Sequence, residues 1–265
     1  MFRVSCIQLK SNNNIQSNFI KTERLIKKAI SQKADFILTP EVSSLFTLNK
    51  KLLLDQCTSM DKDEYLRGIK KLAKKHKKWI LIGSLVIKIG KNKLVNRSVL
   101  INSKGRIQSY YDKIHMYDVT LSKKESYLES RTFVAGKKHQ ISRLPWGKLG
   151  MSVCYDLRFP NLYRNLAKKG SLFLSIPSAF TQTTGKRHWH SLLKARAIEN
   201  FCYIFAPAQG GTHYNGRKTF GHSLIISPDG KIIKELGKKE GVITASIDPK
   251  TAKKLRLIIP SLETD

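Results

Sequence analysis

The sequence predicts an α/β fold, and three observations carry that prediction. Short apolar runs of strand length alternate with longer stretches whose apolar residues follow the helical period. Some of those runs are continuously apolar and others alternate with polar residues, the mixture expected of mixed sheets packed into one core. Gly and Pro are spread as turn punctuation and gather into no linker, so one domain over residues 1–265 is expected.

The elements follow in order. Residues 3–9 alternate like a strand, residues 15–33 carry a helical pattern, and residues 36–39 form a short apolar strand delivering Glu41. Residues 61–77 fit a helix with Leu66, Ile69, Leu72 and Ala73 inward and its lysines in water. Residues 79–89, 94–101 and 107–112 read as strands in hairpin order, with Asn102-Ser103-Lys104-Gly105 as a turn and Lys113 directly after the last. Residues 114–131 read as one long irregular loop. A strand then runs into Cys154, followed by a helix at 161–169, a strand at 172–175, a helix from about 188 to 200, and a strand at 203–207. Residues 223–226 and 231–236 make a hairpin about Ser227-Pro228-Asp229-Gly230, and residues 242–247 add a last strand.

Composition excludes several classes. With 265 residues, 41% of them apolar, the chain is neither disordered nor of low complexity. No apolar run approaches the roughly 20 residues of a membrane span, and the start lacks a signal core, so a soluble cytoplasmic protein is expected. Cys6, Cys57, Cys154 and Cys202 are scattered without metal-ligand spacing, so neither a zinc site nor a disulfide framework is expected. Forty-nine Lys and Arg against nineteen Asp and Glu give a net charge of +30. That charge attracts polyanions without specificity, and no interleaved aromatic and basic pattern of an RNA-binding sheet accompanies it.

The chemistry concentrates where strands end. Gly150-Met151-Ser152-Val153-Cys154 runs an apolar tract into one thiol, followed by Tyr155-Asp156-Leu157-Arg158-Phe159-Pro160. A strand feeding a sharp turn displays a nucleophile, and the N–H groups of the turn can face a developing oxyanion. Glu41 and Lys113 end two other strands. A thiol of ordinary pKa near ~8.5 is mostly protonated at neutral pH and needs such a base or cation. Taken singly, each of these residues has a bland alternative: a core thiol, a loop carboxylate, a surface lysine.

Together they resemble the nitrilase superfamily of carbon–nitrogen hydrolases, whose Glu, Lys and Cys occur in this order and in these local contexts. Glu129-Ser130 is similar to the family's second glutamate, and Lys194-Ala195-Arg196-Ala197-Ile198-Glu199-Asn200 to a later helix. Residues 154–160, 208–213 and 220–223 look most like the deaminated glutathione amidase branch; His190 and Arg187 depart from it. The resemblance implies a four-layer αββα sandwich, a homodimer, and hydrolysis of a small carboxylate-bearing amide to acid and ammonia through a thioester, with no metal or organic cofactor. In that scheme Glu41 is the base, Cys154 the nucleophile, and Lys113 with the Tyr155 N–H the oxyanion site; Glu129 orients Lys113 or substrate. Arg158 is a candidate clamp for a substrate carboxylate, its alternative being a structural ion pair. Phe180 and Thr184 follow a strand end and are candidate pocket residues. The competing readings are an omega-amidase, an N-carbamoyl amidohydrolase, or a non-catalytic nucleic-acid-binding protein.

Overall fold

The structure is a computed structural model describing residues 1–123 and 125–264. In chain order its first half contains β1 Phe2–Gln8, α1 Ile15–Ser31, β2 Phe36–Leu38, α2 Lys50–Gln56, α3 Glu64–His76, β3 Trp79–Gly90, β4 Lys93–Ile101, β5 Ile107–Asp112, β6 Asp118–Ser122 and β7 Glu125–Leu128. The second half contains β8 Gln140–Leu144, β9 Gly147–Met151, α4 Pro160–Lys168, β10 Ser171–Ser175, α5 Gln182–Asn200, β11 Tyr203–Ala206, β12 Gly210–Thr212, β13 Lys218–Phe220, β14 Leu224–Ile226, β15 Ile232–Glu235, β16 Gly241–Ile247 and α6 Pro249–Ile258.

Two six-stranded sheets form the centre, ordered β16-β1-β2-β3-β4-β5 and β15-β14-β11-β10-β9-β8. Each has a parallel middle, β1-β2-β3 or β9-β10-β11, flanked by antiparallel strands. Strand periodicity sorts the side chains between layers. Phe2, Val4, Cys6, Phe36, Leu38, Leu81 and Leu100 point between the sheets, where they join Met151, Phe173 and Phe205 of the second sheet. Their chain neighbours Ile7, Ile37, Ile80, Ile82, Val99 and Ile101 point the other way, onto Leu25, Ile26 and Ala29 of α1 and Leu66, Ile69 and Ala73 of α3. Trp189 and Leu193 of α5 and Leu162 and Leu166 of α4 cover the second sheet. The result is the αββα sandwich.

Local chemistry starts the helices. Asn14, Asp63 and Thr181 each accept a hydrogen bond from a first-turn N–H of α1, α3 and α5. Pro160 and Pro249 open α4 and α6, where a missing N–H is harmless. Thr181 moves the start of α5 to Gln182, six residues ahead of the sequence expectation, so His188 and His190 lie inside the helix.

Residues 114–131 are not one irregular loop. Within them β6 and β7 pair as an antiparallel hairpin followed by a 3₁₀ turn at Glu129–Arg131. Half-exposed, polar strands of this kind carry little hydrophobic alternation. The same reason hid α2, the β12–β13 hairpin, and α6, whose one buried residue is Ala252.

Candidate active site

Topology gathers three strand ends. β2 and β3 are parallel, and β5 is antiparallel to β4, itself antiparallel to β3, so β2 and β5 finish at the same edge of their sheet. Glu41 follows the first and Lys113 the second. Cys154 follows the parallel strand β9 of the facing sheet. Ligand sites form outside the carboxyl ends of parallel strands because the chain turns away there and leaves a crevice.

The backbone at two of these corners is forced. Val42, a β-branched residue directly after Glu41, has φ 47°, and Cys154 has φ 51°. L residues with side chains avoid that region, so such angles persist only where surroundings impose them. The Val42 N–H donates to Ser84 Oγ at 2.8 Å, and the Cys154 N–H to the Pro177 carbonyl at 2.9 Å. A Cβ at Gly83 would sit 2.0 Å from the Thr39 carbonyl oxygen, so glycine lets β3 lie against the segment that carries Glu41.

Lys113 Nζ donates to Glu41 Oε1 at 3.0 Å and to both oxygens of Glu129, at 3.0 and 2.8 Å. Asn96 Nδ2 on β4 donates to Glu41 Oε1 at 2.9 Å and to Glu129 Oε1 at 3.3 Å, bracing the two carboxylates. Glu41 Oε2 accepts from the Ala179 N–H at 2.9 Å, and Glu129 Oε2 from the Tyr117 N–H at 2.6 Å. Glu41, Lys113 and Cys154 are all buried.

Burial and charge oppose one another here. Burial pushes Glu41 up, but Lys113 and hydrogen bonds from Cys154, Lys113 and Asn96 outweigh it, so its pKa lies below the usual value. Burial pulls Lys113 down, but Glu129, Glu41 and Cys154 hold it well above. Burial and the Glu41 charge raise the Cys154 thiol well above its usual value against the pull of Lys113. The resting set is therefore a carboxylate, an ammonium and a neutral thiol. A thiol poised beside an ionised base suits attack with concerted proton removal.

Asp156, fully buried, fixes the turn that carries the thiol. Its Oδ2 accepts from Val153 N–H and Tyr111 Oη, both at 2.8 Å, and its Oδ1 from His115 N–H at 3.1 Å and His115 Nδ1 at 2.7 Å. Tyr111 and His115 flank Lys113 in sequence, so one carboxylate ties the cysteine corner to the lysine corner.

A cavity of about 260 Å³ opens onto this cluster. Glu41, Lys113, Glu129, Cys154, Tyr155, Phe180 and Thr184 line it. Arg158 is not among its lining residues: its Nη2 donates to His188 Nδ1 at 3.2 Å, with its guanidinium carbon 5.5 Å from the Phe180 ring centre. His190 and His222 each bond Glu235 Oε1, at 3.0 and 2.7 Å, outside the cavity lining.

Several site residues escaped sequence reasoning. Asn96 carries no role in the sequence reading, although a polar side chain inside an apolar strand is a signal. Asp156 lay within the Cys154 motif without a role. Phe46, Tyr117, Tyr127 and Arg217 line the cavity from segments without periodic pattern, and nothing in sequence spacing marked them.

Fold and site together define an α/β protein with a buried thiol, carboxylate and ammonium set in a small cavity. A sequence model of the carbon-nitrogen hydrolase family matches residues 3–257, and the chain belongs to that family, within the nitrilase superfamily. It is 38% identical over 268 residues to deaminated glutathione amidase of Synechocystis sp. (strain PCC 6803 / GT-S), covering 99% of this chain and 97% of the relative. The crystal structure of the Caenorhabditis elegans NitFhit protein superposes with a TM-score of 0.93 at 34% identity, covering all of this chain. This chain spans 65% of that longer protein. Saccharomyces cerevisiae Nit3, a member of branch 10 of the nitrilase superfamily, superposes at 0.88 with 26% identity, covering 98% of this chain and 94% of its own. Among the described residues, no helix is long and apolar enough to cross a membrane.

Proposed function

We propose that the protein hydrolyses small carboxylate-bearing amides through a thioester on Cys154, with deaminated glutathione as the leading substrate. The observation that carries this reading is the buried Cys154 lining one cavity with Glu41, with Lys113 bridging Glu41 and Glu129. Glu41 takes the thiol proton as sulfur bonds to the amide carbon. Lys113 Nζ and the Tyr155 N–H, at the start of a 3₁₀ turn where N–H groups lack internal acceptors, face the oxyanion. Glu41 then returns the proton to the leaving nitrogen as the C–N bond breaks. It next takes a proton from water as water adds to the thioester, and passes that proton to the departing sulfur. Glu129 holds Lys113 in place. Relatives named deaminated glutathione amidase support the substrate choice.

Primary amides release ammonia, whereas secondary amides such as deaminated glutathione release an amine. The decisive assay therefore follows substrate loss and identifies the products, whether acid, ammonia, amine or free amino acid, for a panel of deaminated glutathione, alpha-ketoglutaramate, simple amides, nitriles and N-carbamoyl amino acids. Turnover that falls roughly 10⁴-fold or more in Cys154→Ala is expected. A wild-type protein inert across the panel sinks the reading. We further propose one domain over residues 1–265 acting in the cytoplasm as a homodimer; exposed Leu257, Ile258 and Ile259 at the end of α6 support a self-association face.

A further inference from the structure

One cation at the cavity is not consumed by the ion-pair cluster. Arg217 lies between β12 and β13 and lines the same cavity as Cys154. Its guanidinium carbon is 5.1 Å from the ring centre of Phe46 and 4.9 Å from that of Tyr127, so aromatic rings from two separate segments hold it. Its Nη2 donates to the Ala179 carbonyl at 3.3 Å, on the residue whose N–H binds Glu41. Its Nε is buried without an acceptor, and no described carboxylate forms an ion pair with it.

Arg256 shares a buried Nε without an acceptor, but it lies outside the cavity lining and its Nη2 is spent on the Ser171 and Asn200 carbonyls. Arg97 makes a two-point bond to Asp112, at 2.6 and 2.8 Å, and Arg196 spends its donors on the Leu157 carbonyl and Glu199. Arg158 faces His188. A guanidinium offers five N–H donors in a planar fork matched to a carboxylate, and a buried donor left unmatched is costly. Arg217 is also held in place. His213 Nδ1 donates to the Ser11 carbonyl at 2.8 Å and its Nε2 bonds Thr219 Oγ1 at 2.7 Å, pinning the hairpin, and its ring stacks 3.7 Å from Phe46.

Charge fixes the direction in which a substrate lies. Glu41 and Glu129 around the single ammonium of Lys113 leave the nucleophile end with excess negative charge. An acid group is repelled there and attracted at Arg217. We infer that Arg217 is the carboxylate-recognising residue, binding the acid end of a short amido acid while its amide carbonyl lies at Cys154. The inference rests on the amide-hydrolysis reading and deepens it: the preferred class is amides with a carboxylate a few bonds from the scissile carbonyl.

The test compares glutaramate with valeramide, its neutral counterpart, in wild type, Arg217→Met and Arg217→Lys. It also measures glutaramate binding by calorimetry to Cys154→Ala with and without Arg217→Met. The ratio of kcat/KM for glutaramate to that for valeramide is expected to fall roughly 10- to 100-fold in Arg217→Met, with partial recovery in Arg217→Lys. Glutaramate affinity for the Cys154→Ala protein falls by a similar factor. An unchanged ratio, or equal losses on both amides, overturns the assignment, since a disturbed pocket does not discriminate by charge. If wild type hydrolyses neither amide, the hydrolysis reading fails for this class and binding alone decides: affinity that depends on Arg217 upholds the anion site, and absent or unaffected binding overturns it.

Discussion

Glu41, Lys113 and Cys154 each have a pKa displaced from its ordinary value, and the displacements agree with one another. Glu41 stays ionised because the favourable charge of Lys113 and three side-chain hydrogen bonds exceed the cost of burial. Cys154 stays protonated because burial and Glu41 oppose a thiolate. The sign of the pH dependence follows. In the proposed mechanism Glu41 acts unprotonated as the base, and its lowered pKa puts the acid limb of kcat/KM below the ordinary 4.5. In the same mechanism Cys154 carries the proton that Glu41 removes, and its raised pKa puts the alkaline limb above the ordinary 9.0. A flat kcat/KM profile between those limbs is expected for a neutral amide. A bell centred near pH 7 with both limbs inside that window contradicts the assigned protonation states. Of these residues the strand-end context displayed the three charged or nucleophilic groups, but it left Asn96 and Arg217 unmarked. Both act through neighbours that are distant in sequence: Asn96 through Glu41 and Glu129, Arg217 through Phe46 and Tyr127.

Strands and turns explain why the site is rigid. The Cys154 corner is anchored by Asp156 to Tyr111 and His115, and the Glu41 corner by Ser84 and Gln209, whose Nε2 donates to the Glu41 carbonyl at 3.0 Å. Asp156→Ala leaves Val153 N–H, Tyr111 Oη and the two His115 donors without their acceptor in a buried place. A loss of about 2–4 kcal/mol in unfolding free energy is expected, measured by denaturant titration, with a fall in kcat exceeding any change in KM. Undiminished kcat in a folded Asp156→Ala protein excludes a positioning role. At this scale apolar pattern revealed the strands buried on both faces, such as β1 and β3, and the helices with one buried face, such as α3, because burial dictates which positions are apolar. It missed β6, β7, β12 and β13, whose side chains are largely polar or exposed. Those hairpins bring Tyr127 and Arg217 to the cavity rim, so the unpatterned segments shape the pocket.

Across the whole molecule the charge of +30 sits on a surface rich in exposed lysines, while the cavity holds Glu41 and Glu129 around the ammonium of Lys113. Long-range attraction of this kind steers anions and is screened by salt. Raising salt from about 0.05 to about 0.5 M is expected to lower kcat/KM several-fold for glutaramate and to leave valeramide nearly unaffected. Equal salt responses exclude steering. The sequence by itself determined the α/β class, the order of the main strands, and the family to which Cys154, Glu41 and Lys113 point. Those properties are written in local pattern: burial imposes period 2 or 3.6, and a strand end exposes its last residue. The tertiary structure alone decided which distant groups meet. Lys113 bridges Glu41 and Glu129, Asp156 joins the cysteine and lysine corners, and Arg217 reaches the cavity with donors to spare, because sheet order and hairpin packing, which no local spacing encodes, set those distances.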